Sequence, residues 1–301
     1  MSKLYAAFVD TKQGTDDNAN LEDSGSMVSI GGVVFEYEEN VLTHEITDIR
    51  LVERKRVTFP FLVSNFSCRC WEEYWQNQRD NLALLSQEKM PTMYGACREF
   101  VEWIRHVDTT YNCRFWGSDN SAYDFAAVQS IINYYNNHRT KDTVDPASDE
   151  ASYHFLFVYK GNGKYTYDRK IIDTDQFYSS ILPNRKYDLF GLTDAAINYT
   201  DVVIPDEYEE TQLPDDDAAY IGIVYLMVSS AYYKTEEENR KMVLDLAGSL
   251  QEHFQKKQGR YQKLLDIRKK YEGSTSVDPC DALIAESKEI IELFKKDLGM
   301  N

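Results

Sequence analysis

The sequence contains few basic residues, and this scarcity limits the functions that the protein can have. Its 301 residues include 33 Lys and Arg against 50 Asp and Glu, which gives a formal net charge of −17. Proteins that bind nucleic acid along its length neutralise the phosphates with clustered Lys and Arg. The composition therefore argues against a general nucleic-acid binder. An enzyme that holds a strand end through metal ions remains compatible with it.

Cysteine and long apolar runs are also scarce. The five cysteines form no paired CxxC spacing, which argues against a zinc ribbon, and we interpret Cys68 and Cys70 as two strand residues. The odd number of cysteines and the absence of a signal peptide predict a soluble protein of the reducing cytoplasm. No apolar run reaches the roughly 18 residues of a membrane span, so we expect no membrane partner.

The residues that are present predict an α/β fold. Hydrophobic residues make up 43% of the chain, which is enough for a sizeable core. Short β-rich segments come first, and strand–helix units follow them. The predicted strands are 4–9, 27–35, 44–52, 113–117 and 170–174, and the predicted helices are 71–85, 92–107, 122–138, 177–182 and 215–233. This order predicts a mixed sheet covered by helices.

The last part of the chain differs in charge. From Lys234 onward there are 13 basic and 13 acidic side chains, so the whole net charge of −17 lies in residues 1–233. We therefore predict a domain of residues 1–233 and a helical extension of residues 234–301. A last helix begins at the cap residue Asp278 and ends near Gly299. The extension either packs on the domain, which we favour, or dimerises.

Three aspartates occupy similar places in the predicted elements. Asp10 ends the first strand, Asp124 lies near the start of a helix that follows the strand "CRFWG", and Asp217 opens the most apolar helix. Each of the two helix-start aspartates could also be an ordinary cap. Carboxylates at strand ends and helix starts around one sheet can converge, however, and together the three are candidate metal ligands.

The segments around these aspartates resemble a known family. Asp10-Thr-Lys12 is followed by "VSIGGVVF", then by "FWGSDNSAYDFAAV", and then by "QLPDDDAAY". These motifs, in this order, are similar to those of the DEDD superfamily of 3′–5′ exonucleases, nearest the phage exonuclease A and bacterial exoribonuclease branch. The resemblance covers residues 4–232 and implies a ribonuclease-H-like fold.

The resemblance also implies a two-metal site. Two divalent cations, Mg²⁺ or Mn²⁺, would polarise the scissile phosphate and steady the leaving oxygen, while a general base activates water. By position, Asp10 would bridge the two metals, Asp124 would bind the second metal, and Asp217 would bind the first. Asp215 and Asp216 are alternatives for the last role. Trp116 or Tyr123, beside this site, could stack on a terminal base, but we favour the interpretation of both as core residues.

Two positions depart from the family pattern. Lys12 stands where the family has a glutamate ligand, and its ammonium repels a divalent cation. Gln212 stands where the family has a histidine, and an amide cannot take a proton from water at neutral pH. The metal site is therefore expected to be incomplete, unless a carboxylate of the following loop replaces the missing ligand. The candidates for that role are Asp16, Asp17, Glu22 and Asp23.

Three functions follow from this pattern. The chain is an active exonuclease, or an impaired relative that binds the 3′ end of single-stranded DNA or RNA, or a pseudo-nuclease that serves as an acidic protein-interaction module. In the last case a protein partner would bind the acidic domain or the helical tail. Because of Lys12 and Gln212, we expect impaired catalysis by a nuclease fold that still acts on or binds nucleic-acid ends.

Overall fold

A computed structural model of the chain describes residues 3–15, 21, 26–40, 42–138, 155, 157–159, 165–167, 169–182 and 191–256. Residues 157–159, 165–167 and 246–256 are described by their backbone alone. The chain divides into two compact units, Met1–Glu236 and Glu237–Asn301. The predicted helix from Asp278 to Gly299 and the four loop carboxylates between residues 16 and 23 lie outside the described residues.

The first unit contains a five-stranded mixed sheet. Its strands are, in spatial order, β3 (Ile46–Thr58), β2 (Met27–Glu39), β1 (Lys3–Gln13), β4 (Phe115–Ser118) and β7 (Ile171–Asp173). The three long strands pair antiparallel, whereas β4 and β7 are added in parallel beside β1. A separate hairpin joins β5 (Phe157–Tyr159) to β6 (Tyr165–Tyr167). The predicted mixed α/β sheet is thus confirmed.

Helices flank the sheet on both faces. The described helices are α1 (Cys68–Glu73), α2 (Arg79–Glu88), α3 (Met93–Thr110), α4 (Ser121–His138), α5 (Thr174–Ile181), α6 (Leu192–Thr200) and α7 (Pro214–Lys256). Alternate residues of β1 face opposite cores. Ala7 and Val9 share one core with α3 and α4, while Ala6 and Phe8 share the other with α5, α6 and α7. Burial on both faces explains why this strand reads as a continuous apolar run.

Several elements differ from the sequence-based predictions. Strand β1 does not stop at residue 9 but continues to Gln13, because every residue from Lys3 to Gln13 pairs with β2. The predicted helix 71–85 is divided into α1 and α2 by a 3₁₀ turn at Trp75–Asn77. Cys68 and Cys70 begin α1, so their interpretation as strand residues was wrong.

Helix boundaries elsewhere follow local signals in the sequence. The hydroxyl oxygen of Thr92 accepts a hydrogen bond from the backbone N–H of Gly95, so the predicted cap of α3 is confirmed.

Helix α7 begins at Pro214 and continues past residue 234 to Lys256. Among the described helices, none combines the length and the apolar character needed to cross a membrane.

Candidate functional site

The candidate site lies where β1, the loop after β4 and the first turn of α7 meet. Asp10 and Lys12 lie in β1 on the same side of the strand as Ala6 and Phe8, which is the side covered by α7. Asp10 pairs in register with Gly31 of β2. The strand therefore presents a carboxylate and an ammonium, two residues apart, towards the start of α7.

Gly31 allows α7 to begin directly against the sheet. A β-carbon on Gly31 would lie 2.1 Å from the backbone nitrogen of Asp215 and 2.1 Å from the carbonyl carbon of Pro214. No other residue type leaves room for this approach of a helix to a strand. The approach places Asp217, in the first turn of α7, beside the side chains of β1.

Lys12 joins two of the three predicted aspartates. Its Nζ lies 2.9 Å from Oδ2 of Asp10 and 2.7 Å from Oδ2 of Asp217. The side chain of Lys12 is only 12% exposed, and its ammonium also lies 5.9 Å from the centre of the Tyr74 ring. The lysine is thus an internal counter-ion for two buried carboxylates, a role that the sequence pattern alone did not reveal.

Asp124 is held from the opposite side of β1. One of its carboxylate oxygens, Oδ1, accepts hydrogen bonds from the backbone N–H of Thr11 at 3.1 Å and from the Thr11 hydroxyl at 2.6 Å. The first turn of α4 and the strand β1 are therefore tied together at the site. Asp124 is almost fully buried, at 2% exposure, so its carboxylate is fixed in position.

A fourth aspartate completes a group of carboxylates. Asp119 lies in the loop between β4 and α4, and one oxygen each from Asp10, Asp119 and Asp124 can lie within 4.8 Å of one another. Asp119 was not among the residues predicted from the sequence. The available signal was its place in the polar loop "GSDNS" at the carboxyl end of a buried strand, a common position for ligand-binding residues in α/β folds.

Burial and mutual repulsion dominate the electrostatics of this group. Burial raises the pKa of Asp10, although the ammonium of Lys12 acts in the opposite direction. Burial and the charges of Asp10 and Asp119 raise the pKa of Asp124. Burial alone would lower the pKa of Lys12, but Asp10, Tyr74 and Asp217 hold it well above the ordinary value. A cation bound among the carboxylates would relieve this repulsion.

The remaining predicted residues face elsewhere. Gln212 donates its backbone N–H to Oδ1 of Asp217 at 3.0 Å, but its side-chain amide donates to Glu210 at 3.0 Å. Asp215 and Asp216 form ion pairs with Arg54, and Asp215 also pairs with Arg56 at 3.2 Å. These two aspartates are therefore engaged away from Lys12, which favours Asp217 over both as the residue next to Asp10.

A large acidic cleft opens onto the carboxylates. It has a volume of about 1010 Å³ and is lined in part by Asp10, Lys12 and Asp217. Its described lining contains seven carboxylates and a single basic side chain, Lys12. Burial, together with the charges of Asp119 and Asp173, raises the pKa of the cleft residue Asp175 to about 7. The cleft therefore attracts cations and repels an anionic ligand that arrives without one.

A smaller pocket of about 330 Å³ lies next to this cleft, and Asn120 lines both. Two aromatic residues, Tyr74 and Tyr123, line the small pocket together with Arg69. Trp116, by contrast, is 1% exposed and packs edge-on against Trp103 and Phe155. The favoured prediction that Trp116 is a core residue is therefore confirmed, whereas Tyr123 lines the small pocket.

Three carboxylates of the site could together hold a metal ion. Asp10, Asp119 and Asp124 offer oxygen atoms close together, and hard cations prefer such ligands. Between Asp10 and Asp217, by contrast, lies the ammonium of Lys12. No protein-family model matches the chain, and no curated protein matches it.

Proposed function

We propose that residues 1–233 form a ribonuclease-H-like domain of the DEDD exonuclease type. In this proposal the domain binds the 3′ end of single-stranded DNA or RNA through one divalent cation, Mg²⁺ or Mn²⁺. The observation that carries the proposal is the convergence of Asp10, Asp119 and Asp124 at the edge of the 1010 Å³ cleft. The sheet order, with antiparallel strands followed by parallel ones beside β1, supports the fold assignment.

A cation is necessary for this function because of the charge of the cleft. Among the residues that the structure describes, seven carboxylates and one ammonium line it, so a phosphodiester would meet a negative field unless a cation is bound first. A divalent ion there would contact a phosphate oxygen and neutralise the adjoining charge. The protein's own contribution is to hold three carboxylates together, and Thr11 fixes one of them by two hydrogen bonds.

Hydrolysis is expected to be slow for two reasons that concern the chain's own residues. Lys12 replaces an acidic ligand and pairs with Asp10 and Asp217. Gln212 replaces a general base, and its amide is turned towards Glu210. Loss of a general base alone typically lowers a rate by about 10²–10⁴-fold. We therefore infer that binding of a strand end persists while cleavage is impaired.

A second candidate function is an acidic protein-interaction module. The excess of carboxylates over basic groups in the cleft favours it, because such a surface attracts a basic protein segment without any metal ion. The two candidates differ in their dependence on divalent cations. We expect chelation to abolish binding of a nucleic acid and to leave binding of a basic segment intact.

The test incubates the full chain with end-labelled single-stranded DNA and RNA in Mg²⁺ or Mn²⁺. Asp124→Asn and the double variant Lys12→Glu/Gln212→His are examined alongside. We expect the wild type to leave the strands largely intact and the double variant to shorten them from the 3′ end. Digestion by the wild type that disappears in Asp124→Asn would refute the impaired catalysis. If the double variant is inert and calorimetry shows no metal binding, the assignment of the site is wrong.

A further inference from the structure

We propose that the ammonium of Lys12 is a built-in cation that takes the place of a metal ion between Asp10 and Asp217. The cleft then accepts at most one divalent ion, on the other side of Asp10. The inference concerns how the site is held together, so it does not depend on whether the ligand is a nucleic acid. It rests on three features of Lys12: its contacts, its anchorage and its charge.

The contacts of Lys12 have the lengths of strong charge-assisted hydrogen bonds. Its nitrogen lies 2.9 Å and 2.7 Å from two carboxylate oxygens, within the range of about 2.7–2.9 Å for such pairs. An ammonium is a compact charge with three donors, and it can bridge two carboxylates much as a metal ion does. A divalent ion on the same two oxygens would lie against this charge, so the ion and the ammonium exclude each other.

The anchorage of Lys12 makes its withdrawal difficult. The residue lies within β1, where it pairs in register with Ser29 of β2. Its side chain is 12% exposed, and the Tyr74 ring lies 5.9 Å from its nitrogen. A lysine on a surface loop could swing into solvent when a metal arrives. A lysine on an inner strand, under the first turn of α7, has far less freedom to do so.

The charge of Lys12 links two elements that would otherwise repel each other. Asp10 belongs to β1 and Asp217 to α7, and both carboxylates are nearly buried, at 6% and 2% exposure. Two such groups need a cation between them if both elements are to stay in place. A chain that carries this cation in its own sequence keeps the contact between β1 and α7 when divalent ions are removed.

The experiment counts Mn²⁺ ions bound by the full chain, using calorimetry and the electron paramagnetic resonance of free Mn²⁺. Four proteins are compared: the wild type, Lys12→Arg, Lys12→Glu, and Lys12→Glu/Asp217→Asn. We expect Lys12→Glu to bind one ion more than the wild type and Lys12→Arg to match the wild type. The extra ion should disappear in Lys12→Glu/Asp217→Asn. An unchanged count in Lys12→Glu overturns the proposal, as does Mn²⁺-induced exposure of Lys12 in the wild type.

That exposure is measured on the wild type, which keeps the proposal testable if a variant misfolds. Reductive methylation followed by mass spectrometry gives the labelling rate of Lys12 with and without saturating Mn²⁺. We expect the rate to change by less than about twofold, because the pairs with Asp10 and Asp217 persist. A Lys12→Glu protein that folds only when Mn²⁺ is present would also support the built-in cation.

Discussion

Replacing Gly31 by alanine tests how closely α7 approaches the sheet. The new methyl carbon would lie 2.1 Å from backbone atoms of Pro214 and Asp215, whereas ordinary contact begins at 3.4 Å. Because both obstacles are backbone, the start of α7 must move by roughly 1.3 Å, the difference between these distances. The same shift carries Asp217 away from Lys12, which it contacts at 2.7 Å. We expect a destabilisation of about 3 kcal/mol, or a Tm lower by about 6–12 °C.

Gly32→Ala is a matched control on the opposite face of the same strand. A β-carbon there would meet the ring of Trp103, at 2.3 Å, and not α7. Both variants should lower the Tm measured by circular dichroism, but only Gly31→Ala should weaken the pair between Lys12 and Asp217 and so speed the labelling of Lys12. A Gly31→Ala protein with the stability and the labelling rate of the wild type would contradict the close approach.

Three further predictions concern the ligand sites and the core. Asp124→Asn should weaken Mn²⁺ binding in calorimetry by at least ~10-fold, because it removes one carboxylate of the group. Tyr123→Ala should weaken binding of a single-stranded oligonucleotide in an anisotropy assay, by about 5–150-fold for the loss of one stacked base, while Tyr123→Phe should bind as the wild type does. Arg169→Met should destabilise the chain by about 3–5 kcal/mol in urea titrations, because it strips Asp108 of a buried partner at 2.6 Å. Replacing both residues by apolar ones should recover part of this loss.

The mixed sheet was predictable because most of its strands are buried on one or both faces. The apolar run that ends at Val9 identified most of β1. It did not identify the polar residues up to Gln13, which belong to the strand because they pair with β2. Strand pairing is a contact between distant segments, and hydrophobic periodicity does not contain it. The short helices α1 and α2 appeared in the sequence as one, because the 3₁₀ turn between them does not interrupt the apolar pattern.

The site was predictable in its parts but not in its connections. Asp10, Asp124 and Asp217 stood out because each follows or opens a strongly apolar element. The sequence marked Lys12 as a departure, but only the approach of α7 over Gly31 makes it a bridge to Asp217. Asp119 was missed because a loop residue carries no periodic signal, and its position depends on how the loop folds back towards Asp10.

The most direct test of the central claim is the dependence of nucleic-acid binding on a divalent cation. Fluorescence anisotropy would give the Kd of a single-stranded oligonucleotide with a free 3′ end, in Mn²⁺ and in EDTA. We predict that Mn²⁺ lowers the Kd by at least about tenfold, or about 1.4 kcal/mol, and that Asp124→Asn abolishes this difference. An oligonucleotide Kd that is the same in Mn²⁺ and in EDTA would contradict the account. A protein that does not bind the oligonucleotide in Mn²⁺ but binds a basic peptide in EDTA would also contradict it.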